Sequence, residues 1–413
     1  MTTTVHIRAP HTRPDPQPAR TGLSGTAGLV LLASIVVTFL SASSAPTPLY
    51  AIYQAEWGFT PITTTFVFGI YALAVLVALL TLGTVSDHLG RRPVLLTALA
   101  GQAVAMIVFA TASGVSELLV ARVVQGLATG AALGALGAGM IDISRERGTL
   151  ANAVAPGIGT GLGALVSGVV VQYLPAPEHL IYLALLGVFG LQAVGVLLLH
   201  ETVSRKPGAL ATLVPDIKLP RATRGPVLVA APVLIAVWSL AGFYASLGPA
   251  LTRRLTGSQS VVLGGLGLFL LAGVAASATY VLRNTAPRVV MFIGIASLLA
   301  GVGLNLIAIG ASSTILFFSG TAIAGFGFGA GFQGGIRTVV PLAAAHERSG
   351  VLSLLFVISY IGLGAPAVAA GYLVVHDGGL IHTAREYGIF VMVLAVLALT
   401  GLVRRSVRTG QPV

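Results

Sequence analysis

Three charged groups stand out of a chain that is otherwise apolar. Residues 83–93 read G-T-V-S-D-H-L-G-R-R-P, so that Asp87 is followed four and five residues later by Arg91 and Arg92, with Gly83 and Gly90 at the bends. At that spacing a carboxylate can pair with a guanidinium one helical turn away. Asp142 closes a later apolar run, with Arg145 and Arg147 just beyond it. Arg122 stands alone inside a run that Glu117 opens, with Gln125 one turn on. The chemistry these residues can do is ion pairing, anion binding and proton exchange. Nucleophilic or acid–base catalysis at depth needs clustered acids, histidines or a nucleophile–base pair, and none is visible.

The elements that must position them are membrane helices. Of 413 residues, 55% are hydrophobic and 8% charged, against roughly a quarter charged in a soluble domain. Mean hydropathy is +0.94. Apolar runs fall at 27–48, 62–82, 93–112, 117–140, 150–172, 180–199, 227–248, 260–282, 289–310, 314–337, 350–373 and 386–404, each near the roughly 20 residues a spanning helix needs. Cysteine is absent, which excludes disulfides, thiol catalysis and thiolate metal sites. No metal site or prosthetic group is expected.

Charge sorts by side. With the N-terminus inside, every Lys and Arg except Arg122, Arg253, Arg254 and Arg385 falls on the inner face. The positive-inside rule then puts both termini in the cytoplasm. The net charge of +11 reflects this topology, so nucleic-acid binding is not expected. Residues 1–26, rich in Pro, Thr and Arg, read as a disordered cytosolic tail. Two six-helix bundles are expected at 27–199 and 227–404, joined by a hydrophilic linker at 200–226 and followed by a tail at 405–413. Internal repetition supports two halves: Gly161-Leu162-Gly163-Ala164 recurs as Gly362-Leu363-Gly364-Ala365.

The segment from Gly83 to Arg92 resembles the pattern G-x-x-x-D-x-x-G-R-R/K between helices two and three of major facilitator superfamily (MFS) transporters. Residues 122–126, R-V-V-Q-G, resemble that family's span-four motif. The resemblance implies an all-α membrane protein of 12 transmembrane helices, arranged as two parallel-repeat six-helix bundles. It further implies a conformational latch between the two halves made of Gly83, Asp87, Gly90, Arg91, Arg92 and Asp142, in which Asp87 faces the N-terminal dipole of span eleven and neighbouring cations. For Arg122, with Gln125 and Glu117, it implies coupling or substrate binding; the structural alternative is an arginine held by helix carbonyls or snorkelling past Glu117. In that fold spans one, four, seven and ten line the cavity, which makes Thr38, Trp238, Tyr244 and Gln333 candidate contacts. Pro46-Thr47-Pro48-Leu49-Tyr50 resembles a segment of bacterial exporters, forming an external gate or a rigid kink.

The expected function is secondary active transport of small amphipathic or lipophilic molecules across the inner (plasma) membrane, by alternating access, as proton-coupled efflux. The alternative is an uncoupled facilitator or an organic-anion or metabolite carrier. A membrane-embedded enzyme or a non-transporting sensor is disfavoured. None of the 12 acids lies at mid-depth in a predicted span. Proton coupling, with the proton as the coupling ion, must therefore run through Asp87, Glu117, Asp142 or Glu56, or be absent. The expected partners are a small-molecule substrate and the lipid bilayer, and a monomer suffices.

Overall fold

The computed structural model describes residue 23 and residues 25–409. The tail expected at 1–26 lies almost wholly outside the described residues, as does the end of the chain from 410. Among the described residues, 12 helical spans are long and apolar enough to cross a membrane. They are α1 (Gly25–Trp57), α2 (Pro61–Leu82), α3 (Arg91–Ala110), α4 (Val115–Ile143), α5 (Arg145–Tyr173), α6 (Pro177–Leu197), α7 (Arg221–Ser246), α8 (Val261–Val281), α9 (Pro287–Ala311), α10 (Thr314–Leu342), α11 (Ala345–His376) and α12 (Gly379–Arg405). The described residues hold no β-strand; Leu23 and Leu199 form one isolated bridge.

Several helices overrun the hydropathy signal. The seventh begins at Arg221, so the linker is shorter than the expected 200–226, and Pro226 and Pro232 lie inside α7. Neighbouring helices can satisfy the carbonyls that those prolines free. The helix of α12 begins at Gly379 rather than 386 and continues to Thr409, so the chain from 405 starts as helix. Hydropathy stops where charged side chains begin, whereas backbone hydrogen bonding carries the helix past the bilayer.

The halves repeat each other in packing. In the first, α1 lies on α5, α2 on α4, α3 on α4 and α3 on α6. In the second, α7 lies on α11, α8 on α10, α9 on α10 and α9 on α12. The halves meet through α5 against α8 and α2 against α11, again a matched pair. Two apolar cores are buried, one within the first half and one in the second half that also takes in Phe68, Ala72 and Ala164 of the first. Lipid is as apolar as Leu, so close backbone approach must replace the hydrophobic drive between helices. Gly126 and Gly130 supply it on α4, where an added Cβ would fall 2.8 Å from the Tyr71 carbonyl oxygen and 2.5 Å from that of Val75, both on α2. On α10, Gly327 and Gly334 sit against α9 in the same way.

Candidate transport site

Two prolines prepare the first half. Pro46 and Pro48 bring no amide hydrogen, and the helix breaks at Ala45 between Gly25–Ser44 and Pro46–Trp57. Carbonyls near the break turn to other helices. Gln125 donates to the Ala42 carbonyl at 3.0 Å, Arg122 Nη1 to the Ser43 carbonyl at 2.7 Å, and Ser167 to the Ala45 carbonyl at 2.6 Å.

Arg122 is fully buried. Its Nε and Nη2 donate to the Tyr50 hydroxyl at 3.0 and 2.6 Å, and Nη1 also donates to Gln125 Oε1 at 2.8 Å. The rings of Tyr50, Tyr71 and Phe109 surround the guanidinium, with centroids 5.7, 5.2 and 5.6 Å from Cζ. Hydrogen bonds and ring faces thus take the place of a carboxylate partner. Arg122 does not snorkel outward, and Glu117 is not with it. Glu117 stands on the first turn of α4 and accepts from Ser116 at 3.2 Å.

A related knot ties the second half. The Tyr244 hydroxyl lies 2.6 Å from Thr321 Oγ1 and receives Asn305 Nδ2 at 3.0 Å, joining α7, α10 and α9. Tyr244 is 3% exposed and fastens these helices together. Thr38 accepts from Gln192 of α6 at 2.9 Å, a contact within its own bundle. Polar side chains in a membrane bundle turn to whichever helix offers a partner. Gln333 Nε2 donates to the Thr279 carbonyl at 3.3 Å, leaving its Oε1 buried without a partner.

Trp238, also a cavity candidate, leaves its one polar atom unused. Its ring centroid lies 6.0, 5.4 and 5.2 Å from those of Phe328, Phe332 and Tyr360, bringing α7, α10 and α11 together in an aromatic cluster. Its indole Nε1 is buried with no acceptor. A buried donor without an acceptor is costly, and an arriving acceptor removes that cost.

At the basic face the charged hinge closes on its own half. Arg91, 7% exposed, reaches Asp87 at 2.5 Å and Asp142 at 3.3 Å, and also donates to Ser86 at 2.6 Å. Asp87 is half exposed, and at the start of α11 Lys218 of the linker donates its backbone amide to the Gly350 carbonyl. The i,i+4 arginine captures the acid at short range. Arg92 does not join this group: it donates to the Val196 and Leu197 carbonyls and caps the end of α6. Gly83 serves packing, since an added Cβ on Gly134 of α4 would fall 2.1 Å from its carbonyl oxygen. Gly90 makes the turn at φ 98°, where a Cβ would meet Glu201 Oε2 at 2.8 Å. Glu201 escaped the sequence analysis. Its carboxylate accepts the backbone amides of Arg91 and Arg92 at 2.9 Å each, capping α3 from 110 residues away. The acid opens the linker directly after α6, but nothing in its local sequence marks it as a cap.

The opposite face is shut. Thr47, in the proline segment of α1, donates to the Ala245 carbonyl of α7 at 3.0 Å. Ser260 and the Val262 amide both donate to Gln172, at 2.7 and 3.2 Å, joining α5 to α8. A pocket of about 60 Å³ lies there, bordered by Tyr50, Gln54 and Arg253, and burial lowers the Arg253 pKa from its ordinary value. Asp377, His382 and Glu386 are the described residues whose ligand atoms lie close enough to share a metal ion, within 4.8 Å of one another, and all three are exposed.

Two matched six-helix bundles, meeting along two helix pairs and closed at one face, define a membrane transporter. The family model "Major Facilitator Superfamily" matches residues 30–367, and the chain belongs to that superfamily. Solved structures agree in fold. A bacterial homolog of the human lysosomal transporter Spinster, in an inward-facing and unoccupied conformation, superposes with a TM-score of 0.74 at 14% identity, covering 91% of this chain and 96% of that one. The nucleoside transporter NupG gives 0.67 at 12% identity, covering 91% and 98%. The human organic anion transporter MFSD10 (TETRAN) gives 0.64 at 19% identity, covering 91% and 98%.

Proposed function

We propose that this transporter exports small amphipathic or lipophilic molecules across the plasma membrane by alternating access, with both termini in the cytoplasm and proton uptake as the drive. Orientation rests on the distribution of Lys and Arg, which crowds the face bearing both termini. On that orientation the structure corresponds to a state closed to the outside. The observation that carries the substrate class is the cluster of Trp238, Phe328, Phe332 and Tyr360, a large apolar surface with one unused donor. A flat molecule with one hydrogen-bond acceptor matches it, whereas a sugar needs many partners. Arg91 with Asp87 and Asp142 forms the group whose protonation would release the ion pairs and shift the balance between states.

A second reading is favoured by Arg122, which has no carboxylate partner among the described residues. A carrier of organic anions would use that uncompensated charge. Transport in proteoliposomes separates the two. A panel of fluorescent lipophilic compounds and small organic anions is offered with and without an imposed pH gradient. Uphill movement of the lipophilic compounds on the gradient is expected. Downhill movement indifferent to the gradient overturns proton coupling, and movement of the anions alone overturns the substrate class.

A further inference from the structure

A cavity of about 390 Å³ opens on the basic face between the start of α3 and the linker, on the flank of the first half. Its apolar wall is Leu89, Pro93, Leu96 and Val203, and Leu96 lies more than a turn inside α3. Its charged wall is Arg92, Arg205 and Glu201. Arg92 uses Nε and Nη2 on the last carbonyls of α6, and Nη1 has no partner among the described residues. Arg205 is exposed and makes no hydrogen bond or ion pair among those residues. The Glu201 carboxylate is turned onto the amides of Arg91, Arg92, Thr202 and Val203, so the α3 N-terminus offsets its charge. Two cations therefore stand over an apolar cleft, at the level where α3 and α6 leave the bilayer.

The linker carries the same chemistry onward. Leu210 and Val214 are 82% and 73% exposed, and they lie between Lys206 and Lys218 in the chain. Apolar side chains interspersed with cations suit a surface of anionic lipid. We propose that the cavity holds an anionic phospholipid, its phosphate on Arg92 and Arg205 and its upper acyl carbons against Pro93 and Leu96.

Native mass spectrometry of the full-length protein tests this, with phosphatidylglycerol and phosphatidylethanolamine offered in equal amounts. Preferential retention of phosphatidylglycerol is expected. Arg205→Gln, which disturbs no bond in the protein, should weaken that retention roughly five-fold, the effect of one interfacial cation. Leu96→Trp, which fills the cleft, should weaken it with Arg205 intact. Retention of both lipids equally, or unchanged retention in Arg205→Gln, overturns the proposal. Displacement of the lipid by inorganic phosphate alone would identify a free-anion site and overturn it as well.

Discussion

Arg122 is held by groups that would be stranded without it. In Arg122→Ala the Ser43 carbonyl, the Tyr50 hydroxyl and Gln125 Oε1 lose their donor inside the bundle, and a cost of about 3 kcal/mol is expected. Arg122→Lys keeps the charge without the fork, so it should recover only part of the melting temperature measured in detergent. Full recovery would mean that charge alone matters there. Asp87→Asn should behave differently. The acid is half exposed and its pair with Arg91 lies within one half, so stability should fall by less than about 1 kcal/mol while proteoliposome transport drops. Wild-type transport in that variant would remove Asp87 from the mechanism. Both residues were legible because motif spacing is local. Their partners were not: Tyr50 lies 72 residues from Arg122, and no periodicity links the two.

At the scale of the helix, glycines divide by what faces them. Gly134→Ala would drive a Cβ to 2.1 Å from the Gly83 carbonyl oxygen and push α4 off α2, at a cost of about 1–3 kcal/mol. Gly187→Ala, in α6, meets nothing within 4 Å and should be neutral or stabilising by roughly 0.5–1 kcal/mol. Thermal unfolding of the two variants side by side measures this; equal destabilisation would show that the glycines act through something other than packing. Gly126, Gly130 and Gly134 in α4, and Gly327, Gly331 and Gly335 in α10, recur every four residues in the sequence, a spacing that implies close packing but not which neighbour each meets. Local sequence also placed Thr38 and Tyr244 on helices correctly while leaving their facing direction open. Both turned to partners inside their own bundle, Gln192 and the Thr321–Asn305 pair.

For the whole molecule, the cross-half contacts at the shut face must break once per cycle if access alternates. Thr65 of α2 and Gly371 of α11 come within reach of a crosslink, the Cβ built on Gly371 lying 2.9 Å from Thr65 Cβ. Relaxation of under an ångström reaches the roughly 3.5–4.5 Å of a disulfide. The chain has no cysteine of its own, so Thr65→Cys with Gly371→Cys gives a clean pair. Oxidation should stop transport and reduction restore it. Full transport by the oxidised protein would mean that this seam stays closed throughout the cycle.

The chain alone determined the count of spans, their division into two related halves, the basic face and the superfamily, because each depends on local hydropathy, charge or short spacing. Only the tertiary structure decided that Arg122 sits among tyrosines instead of with Glu117. It also decided that Arg92 caps α6 and that Glu201 caps α3. Those outcomes depend on which helices touch and at what height. Residues dozens to hundreds of positions apart compete there for the same few donors and carbonyls, and the proximity that settles the competition exists only once the bundle is packed.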